Sequence, residues 1–388
     1  MRVAAFVSAF PLISETFVTG QLVALIEAGI DLQILAERRG DFTAIDPRLA
    51  QTTRPHCSYA SENLTYRIAS VLKRPYRLVA SLRRSAIIAS DTSKGKDYDI
   101  LYAHFGWNAI RAVNLKKNGL LNGRIWAVFH GRDLSATIAS LGGQVYSELF
   151  QHADRCLPVS EYWRNRLLEL GCPADKIYVH RLGVDCKGLA FVGARPSAGD
   201  PLQIVSVCRL VPKKGLSVTL RALAGVRSIR PNLRWRYEIV GGGPLEESLR
   251  EEIERLKLND CVRLVGEKPP AKALDFIRAA DLFVLSSLTA PDGDMEGIPV
   301  VLMEAMAIGT PVVSSRHSGI PELVIDGRTG LLAKEGCVES LASTIVALLE
   351  NPSLRQSLAR EARAMVLNDY SAARQNAALV DLIRASVC

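Results

Sequence analysis

Two glutamates eight positions apart are the first residues in this sequence whose type and spacing could do chemistry. Glu296 and Glu304 lie in the stretch DGDMEGIPVVLMEAMAIGTPVVSS, which is otherwise rich in apolar residues and glycines. The neighbours of Glu304 are Leu302, Met303, Ala305 and Met306. Because a carboxylate among such neighbours is costly to bury without a partner, a pair of vicinal hydroxyl groups would suit it. The alternative is that Glu304 faces solvent.

Helix signals in this stretch separate the two glutamates. Pro299 suits the first position of a helix and Gly309 the residue just past its end, so the sequence predicts a helix over about 299–308. The first glutamate then lies in the loop before the helix, and the second lies within it. The unpaired N–H groups of Gly297 and Ile298 would lie at the helix mouth, where they could donate to hydroxyl or oxyanion oxygens.

A pair of cations lies in an earlier turn. The turn RLVPKKGL follows the apolar run 202–208 and brings Arg209 and Lys214 close to Gly215, which opens the next predicted helix. Two fixed cations beside a helix start form a phosphate site, because the helix adds free N–H groups and partial positive charge. The alternative is a pair of solvated surface cations.

A glycine-rich turn lies between these two segments. Gly241, Gly242 and Gly243 precede Pro244, at which we expect a helix to begin. Three glycines allow a ligand to approach the backbone closely. The turn lacks the spacing of a G-x-G-x-x-G fingerprint, and a plain tight turn is the alternative.

The elements that must position these residues are short apolar runs that alternate with amphipathic stretches. The predicted strands are residues 2–7, 32–36, 99–105, 124–129, 155–159, 176–180, 202–208, 236–241, 262–266, 281–287 and 310–315. The predicted helices include residues 15–28, 160–170, 215–229, 244–257 and 337–349. Most strand runs are largely apolar rather than alternating, which predicts strands that are covered on both faces. Repeated units of this kind predict an α/β fold with two doubly wound, Rossmann-like parallel sheets.

The break between the two sets of units falls in GLAFVGARPSAGDP, residues 188–201, whose composition predicts a linker. A chain of 388 residues also exceeds the size at which one core keeps growing, so two domains are expected. Two such domains would bring the carboxyl ends of both sheets to a shared cleft, where ligands of this fold class bind.

Composition restricts the cellular setting. No apolar run approaches the roughly 20 residues that span a bilayer. The opening MRVAAFVSAFPLISETF breaks at Pro11 without a cleavage pattern, which favours a first strand over a signal peptide and hence a cytoplasmic protein. The eight cysteines are scattered without a C-x-x-C pair, which argues against zinc and disulfides.

Positive charge is concentrated between residues 54 and 96, interleaved with apolar residues. The cations there are Arg54, Arg67, Lys73, Arg74, Arg77, Arg83, Arg84, Lys94 and Lys96, against Glu62 and Asp91. One or two basic amphipathic helices of this kind suit an anionic membrane surface or a phosphate-bearing partner. The alternative is a solvated helix face packed on the domain. Nucleic acid is not expected, because no recognition motif accompanies the charge.

In this order, the motifs resemble family 4 of the nucleotide-sugar glycosyltransferases. The resemblance rests on Glu296-x7-Glu304 with its GIPVVLMEAMAIGTPVVSS continuation, the RLVPKKG turn and the GGGP turn, and it covers the whole second domain. In the first domain FPLISETF, HFG, HGRD and VSEYW, with the later GVD, are similar to the branch that builds bacterial exopolysaccharide and lipopolysaccharide. The family has the GT-B fold, two Rossmann-like domains facing a central cleft.

The resemblance implies site roles. Arg209 and Lys214 would hold the donor diphosphate and stabilise the leaving group without a metal. Glu296 would hold hydroxyls of the transferred sugar, Glu304 the ribose hydroxyls, and His130 would lie beside the sugar. The other donor-binding residues would be Gly242, Gly243, Glu267, Lys268, Gly297, Ile298, Pro299 and Val300, with Glu267 and Lys268 lining the base pocket.

The resemblance also implies the reaction. It is a retaining transfer, of the hexosyltransferase type, from a nucleoside diphosphate sugar to a glycan or a polyprenyl- or lipid-linked acceptor, with no cofactor or metal. The protein would be cytoplasmic, with peripheral membrane association through the basic segment. The C-terminal helix would return to the first domain, giving domains of residues 1–188 with 370–388 and of residues 189–369.

Two features depart from the family pattern. Many members carry a glycine-rich loop after the first strand, where this sequence has FPLISETF, so Ser14, Glu15 and Thr16 would contact the phosphates or the acceptor. Asp292-Gly293-Asp294 is similar to the metal-binding D-x-D motif of the other major transferase fold. With two β–α repeat domains, we expect it to be a solvated loop instead.

Several polar residues of the motifs have more than one interpretation. Asp133 could act as an acceptor-side base, orient His130 or cap a turn. The lone histidines His104, His152 and His317 are expected to be structural.

Two other classes of function are compatible with the fold. Nucleotide-sugar epimerases bind a diphosphate in a similar site, but the E-x7-E segment does not belong to them. A non-catalytic, transferase-like assembly subunit would be expected to lose the two glutamates and the two phosphate cations first.

Overall fold

The computed structural model describes residues 1–60, 97–193 and 201–386. The chain forms two compact units: unit 1 is Met1–Arg181 with Gln375–Cys388, and unit 2 is Leu182–Arg374. Most of the predicted basic segment, residues 61–96, and part of the predicted linker lie outside the described residues. Among the described residues, no helix is long and apolar enough to cross a membrane.

Unit 1 is built on a parallel sheet that has six strands within the described residues. The strands are β1 (Arg2–Phe10), β2 (Asp31–Arg39), β3 (Cys57–Tyr59), β4 (Asp97–His104), β5 (Asn122–Phe129) and β6 (Arg155–Pro158). Their order is β3-β2-β1-β4-β5-β6, so the order reverses between β1 and β4. A crevice opens at the carboxyl ends of the strands at such a reversal point, and ligands bind there.

Unit 2 repeats this arrangement in a second parallel sheet. Its strands are β7 (Leu202–Val207), β8 (Trp235–Val240), β9 (Val262–Gly266), β10 (Leu282–Leu285), β11 (Val312–Ser315) and β12 (Leu331–Ala333). In the described residues their order is β12-β11-β10-β7-β8-β9, with the reversal point between β7 and β10. The predicted α/β fold with two doubly wound parallel sheets is therefore confirmed.

Helices connect the strands of both sheets. In unit 1 they are α1 (Thr16–Glu27), α2 (Pro47–Thr53), α3 (Gly106–Lys117), α4 (Ala136–Leu141), α5 (Ser147–His152) and α6 (Glu161–Glu169). In unit 2 they are α7 (Leu216–Ile229), α8 (Glu246–Arg255), α9 (Pro270–Ala279), α10 (Val300–Ile308), α11 (Ile320–Leu323), α12 (Val338–Leu349) and α13 (Pro352–Asp369). The last helix is α14 (Ala372–Ala385).

The strand predictions need two corrections. Residues 176–180 do not form a strand, because only Ile177 makes an isolated bridge, to Cys156 on β6. The edge strands β3 and β12 were not predicted, since each has only three residues.

The sheets are buried because helices cover them. In unit 1, Val3, Ile34 and Ile100 are at most 2% exposed and lie in one core cluster. The C-terminal helix α14 joins this cluster through Leu379 and Ile383, which are fully buried. Unit 1 is therefore built from two separate segments of the chain, because α14 supplies part of the core to which β1 also contributes.

We expect Ile383→Ala to lower the free energy of unfolding by about 2–5 kcal/mol, since it removes buried methyl groups and leaves a cavity. Urea unfolding followed by circular dichroism measures this loss. Asp381→Ala, at an exposed position on the same helix, is the control and should change the value by less than about 0.5 kcal/mol. Equal effects of the two substitutions would contradict the packing of α14.

Candidate functional site

Two loops meet at the reversal point of the unit 2 sheet. One follows β7 and contains the short turn Pro212–Lys214, and the other follows β10. Gly215 has a φ of 65°, and a Cβ at this position would lie 1.9 Å from the carbonyl oxygen of Ser286. The Leu288 amide donates to the carbonyl oxygen of Lys213 at 2.9 Å. The loops therefore pack backbone against backbone, which only glycine permits at position 215.

Across this junction the predicted phosphate cation contacts the predicted sugar-binding carboxylate. Nζ of Lys214 lies 2.6 Å from Oε1 of Glu296, and the two side chains are only 12% and 8% exposed. Burial acts to raise the pKa of Glu296, but the charges of Lys214 and Lys213 outweigh it, so the pKa is lowered. Glu296 is therefore an anion at neutral pH.

Lys213, the residue before Lys214, contacts the residues that precede Glu296 in the loop after β10. Its Nζ lies 3.1 Å from Oδ2 of Asp294, 3.3 Å from the carbonyl oxygen of Met295 and 4.0 Å from Oε2 of Glu296. The expected solvated loop at 292–294 is therefore wrong for Asp294, which is 7% exposed. A buried ammonium group requires a carboxylate partner, and Asp294 provides it.

The backbone of Glu296 is fixed from the opposite side. Its amide donates to Nε2 of His317 at 3.1 Å, so this nitrogen is unprotonated and Nδ1 of the neutral ring carries the proton. Nδ1 then donates to Oε2 of Glu335 at 3.0 Å. The hydroxyl of Ser318 donates to the carbonyl oxygen of Glu296 at 2.6 Å. His317 is structural, as expected, and what it positions is the Glu296 loop.

Helix α10 begins after this loop. It starts at Val300 rather than at the predicted Pro299, which has an extended backbone (ψ 120°) and precedes the first turn. Gly309 ends the helix with a φ of 89°, as predicted. Within the described part of the chain, the amides of Gly297 and Ile298 have no hydrogen-bond acceptor. The helix mouth therefore presents two N–H groups that a ligand could use.

Glu304 lies on the same helix and is half-buried. Burial raises the pKa of its carboxyl group to about 7. Among the described residues, no cation and no hydrogen-bond donor contacts this side chain. The expectation that it simply faces solvent is not supported, and its proposed hydroxyl ligands stay a prediction.

The glycine turn after β8 packs on the loop after β7. A Cβ at Gly241 would lie 1.9 Å from a carbonyl oxygen of that loop, and one at Gly243 would lie 2.6 Å from the carbonyl oxygen of Leu210. The glycines are thus required by this packing. The next helix begins at Glu246 rather than at Pro244 as predicted, because the turn first returns to Leu210.

The remaining predicted donor residues lie at the same edge of the unit 2 sheet. Arg209 follows β7 and is exposed. Glu267 and Lys268 follow β9 and are also exposed. Gly242 lies beside Glu267, since a Cβ built on it would be 3.6 Å from that side chain. All four follow the carboxyl end of a strand.

In unit 1, His130 follows β5 and is 8% exposed. Its Nε2 lies 3.1 Å from Nδ1 of His104, which is fully buried at the end of β4. Burial lowers the pKa of His130 well below its ordinary value, and the nearby His104 and His180 lower it further. His130 is therefore neutral at physiological pH, and His104 is its partner.

Asp133 caps the turn that follows His130. Its carboxylate accepts hydrogen bonds from the amides of Gly131 at 2.9 Å, His130 at 3.0 Å and Gly106 at 3.1 Å. Burial raises its pKa to about 6, while these hydrogen bonds act in the opposite direction. The turn-capping alternative agrees with this placement. An acceptor-side base does not, because both oxygens of the fully buried group already accept amides.

Ser14, Glu15 and Thr16 connect β1 to α1 at the reversal point of the unit 1 sheet. Ile13–Glu15 form a short 3-10 turn, in which Ser14 is exposed. Thr16 is also exposed. Their contacts with phosphates or acceptor stay a prediction.

The residues that the sequence analysis missed are those that hold Glu296. They are Lys213, Asp294, Ser318 and Glu335. The doubled lysine in PKKG and the acidic DGD loop were visible signals. No spacing rule joins them, because the two segments are far apart in the chain.

Two family models together match most of the chain. Residues 192–365 match the model described as Glycosyl transferases group 1, and residues 14–187 match the model described as Glycosyltransferase Family 4.

Two bacterial proteins are similar to the chain over nearly its whole length. One is the Escherichia coli K12 protein WcaL, which is named as a glycosyltransferase of colanic acid biosynthesis. Its sequence is 36% identical over 424 residues, and the alignment covers 99% of this chain and 100% of WcaL. The other is the amylovoran biosynthesis glycosyltransferase AmsK of Erwinia amylovora, which is 36% identical over 408 residues. This alignment covers 98% of this chain and 99% of AmsK.

Solved structures share the fold at low sequence identity. The Anabaena Alr3699/HepE structure with UDP-glucose has a TM-score of 0.75 and 18% identity, and it covers 99% of this chain and 100% of its own. A sucrose-phosphate synthase from Thermosynechococcus elongatus has a TM-score of 0.79 and 18% identity. The superposition covers 99% of this chain and 98% of the synthase chain.

We expect Lys213→Met to lower the free energy of unfolding by about 3–5 kcal/mol, because it leaves Asp294 buried without its cation. The double variant Lys213→Met/Asp294→Leu removes both charges and should be less destabilised than Lys213→Met. Urea unfolding of the variants in parallel measures both values. A double variant at least as unstable as Lys213→Met would contradict the buried pair.

The pKa of Glu304 makes stability depend on pH. The folded protein holds this proton up to about pH 7, whereas the unfolded chain loses it near 4.5. Between these values the folded state binds more protons, so stability falls as the pH rises and is level above about pH 7. We therefore expect the melting temperature of Glu304→Gln, measured relative to that of the wild type, to increase as the pH rises.

Calorimetry from about pH 5 to about pH 8 measures this difference. Glu254→Gln, at an exposed position on α8, is the matched control and should show no such trend. A melting-temperature difference between Glu304→Gln and wild type that is independent of pH would contradict the raised pKa.

Proposed function

The chain belongs to the glycosyl transferases of group 1 and family 4, and we propose that it uses a nucleoside diphosphate sugar to extend a bacterial cell-surface polysaccharide. The observation that supports this proposal most directly is the Lys214–Glu296 ion pair at the reversal point of the unit 2 sheet. The helix that follows this loop carries the partly buried Glu304. A UDP-glucose complex of a protein with this fold supports the donor class. The relatives named for colanic acid and amylovoran support the product class.

Donor binding would exchange the partners of the ion pair. Lys214 and the exposed Arg209 would take the diphosphate oxygens. Glu296, released from Lys214, would accept from hydroxyls of the sugar. The free amides of Gly297 and Ile298 would donate to oxygens at the helix mouth.

Nucleotide binding would also involve Glu304. Vicinal ribose hydroxyls would donate to its carboxylate, which would favour the ionised form and lower its raised pKa. Glu267 and Lys268, at the end of β9, would lie beside the base. This arrangement uses residues from the turns after β7, β9 and β10 for one ligand.

The reaction proposed is a transfer with retention of anomeric configuration. The acceptor oxygen would form a bond to the anomeric carbon on the face from which the diphosphate departs, while the bond between that carbon and the diphosphate oxygen breaks. The departing diphosphate oxygen would take the proton that the acceptor hydroxyl loses. Lys214 and Arg209 would stabilise the negative charge that develops on the diphosphate. Since two cations and a helix N-terminus carry out this stabilisation, we propose that the reaction requires neither a metal nor another cofactor.

The acceptor proposed is a glycan or a lipid-linked glycan bound by unit 1. His130, which is neutral and follows β5 at the carboxyl edge of the unit 1 sheet, would lie beside the transferred sugar. A shared cleft, and a cytoplasmic location with membrane association through residues 54–96, stay predictions of the sequence.

The test is a thermal-shift panel of UDP-, GDP- and ADP-linked sugars with and without EDTA. We expect one donor to raise the melting temperature, because a ligand at 100 times its Kd stabilises the folded state by about 2.7 kcal/mol. Release of the nucleoside diphosphate with a bacterial polysaccharide acceptor extract then measures turnover. A protein that no donor stabilises, or that produces an epimer without an acceptor, would refute the proposal.

Lys214→Ala tests the role of the cation. We expect kcat to fall about 10²–10³-fold, as for loss of one group that stabilises transition-state charge. Lys272→Ala, which removes an exposed lysine of the same unit, is the control and should keep wild-type kcat. Wild-type turnover by Lys214→Ala would contradict the phosphate assignment.

A further inference from the structure

Three aromatic side chains surround or adjoin His130 at the carboxyl edge of the unit 1 sheet. The rings of Phe105 and Phe17 lie 4.5 Å and 4.9 Å from the ring of His130, between centroids. Trp107 is stacked on Phe105 at 4.7 Å with an interplanar angle of 6°. All three side chains are only partly buried. We call Phe17, Phe105 and Trp107 the aromatic platform.

The backbone of the platform is strained. Phe105 has a φ of 71°, which is unfavourable for a bulky side chain. Its amide donates to the carbonyl oxygen of Val128 at 2.8 Å, and its carbonyl oxygen accepts from the amides of Asn108 and Ala109. The neighbouring elements therefore impose this conformation. Conformations of this kind are concentrated at binding and active sites.

The plane of Trp107 is also fixed. Its Nε1 donates to the hydroxyl of Ser8 at 3.0 Å, and the side-chain Nδ2 of Asn108 donates to the same hydroxyl at 3.2 Å. Ser8 lies on β1, and His104, whose carbonyl oxygen accepts from Asn108 at 2.8 Å, ends β4. Both strands flanking the reversal point thus hold the platform.

A buried polar atom lies among the rings. His130 is more than nine-tenths buried, and its Nδ1 has no hydrogen-bond partner among the residues that the structure describes. Its Nε2 is already engaged with His104. A buried polar group without a partner is costly, so a ligand hydroxyl would complete this site.

We propose that the aromatic platform is the acceptor subsite and binds one pyranose ring of the glycan, with His130 Nδ1 bonded to one of its hydroxyls. A pyranose has a face of C–H groups, and the electron-rich face of an aromatic ring attracts such partially positive hydrogens. This inference rests on the proposed function, because a glycosyltransferase must bind an acceptor sugar.

The surroundings favour a sugar over the two other ligands that aromatic rings bind. A nucleotide would bring phosphates, whereas burial keeps both His130 and His104 neutral, so neither imidazole ring supplies a positive charge for a phosphate. A polyprenyl chain would leave Nδ1 of His130 without a partner. A neutral ring with hydroxyls at its edge matches both the rings and the nitrogen.

Intrinsic fluorescence offers a direct test. Trp126, Trp163 and Trp235 are at most 5% exposed, so among the four tryptophans Trp107 is the one that a ligand can contact. The probes are the methyl α- and β-glycosides of glucose, galactose, mannose and fucose, with UMP, GMP and farnesyl phosphate as the other arms. Saturation-transfer difference NMR on the same samples identifies which protons touch the protein.

We expect at least one glycoside to change the emission in a saturable manner and to show transfer to the protons of one sugar face. Trp107→Ala should weaken this binding roughly tenfold, and Trp107→Phe should restore most of it. Tyr162→Ala, which removes a partly exposed aromatic residue on α6, is the matched control and should bind as the wild type does. Circular dichroism verifies that each variant is folded.

Three results would overturn the inference: no glycoside binds, only the nucleotides or farnesyl phosphate bind, or Trp107→Ala binds the glycosides as well as the wild type. The donor panel distinguishes this failure from failure of the proposed function. A protein that is stabilised by a donor and hydrolyses it, but binds no glycoside at the platform, would remain a glycosyltransferase with its acceptor subsite elsewhere.

Discussion

Four charged side chains are almost completely buried where the loops after β7 and β10 of unit 2 meet. Lys213 and Lys214 face Asp294 and Glu296 at distances of 2.6–4.0 Å, and each of the four side chains is at most 12% exposed. The charges are balanced, which is the condition under which ions tolerate burial. Lys213 and Asp294 have no further task in the proposed reaction, so they can hold the loop while Lys214 and Glu296 exchange partners. A single lysine could not do both, because its departure would leave a buried anion.

The junction depends in turn on the order of the strands. Because β7 and β10 are neighbours at the reversal point, the loops that follow them must meet, and Gly215 lets them meet without a Cβ between. Unit 1 has the same order, so His104 and the turn after β1 are neighbours for the same reason. One topological rule therefore positions both candidate sites, although the chemistry of the two sites differs.

The sequence could predict those features that local pattern determines. Apolar runs predicted the central strands, since helices cover both faces, and Gly309 predicted the end of α10 correctly. The edge strands β3 and β12 are too short, at three residues each, to stand out as such runs. Asp294 was misassigned because an acidic loop has the same composition whether it is solvated or paired with a lysine 81 positions away. Lys213 and Lys214 are adjacent in sequence, and only the 3-10 turn determines which carboxylate each one contacts.

The candidate sites of the two units differ in their electrostatics. Unit 2 presents charges whose attraction for each other would, in the proposed reaction, be replaced by attraction for the donor, and charges of this kind favour anions and hydroxyl groups as ligands. In unit 1, burial lowers the pKa of His104 to about 3 and also that of His130, which leaves rings and neutral nitrogens. Neutral rings and nitrogens of this kind do not attract a diphosphate. The neighbouring elements impose a φ of 71° on Phe105, which glycine would adopt more easily, so the aromatic ring that stands there carries a conformational cost.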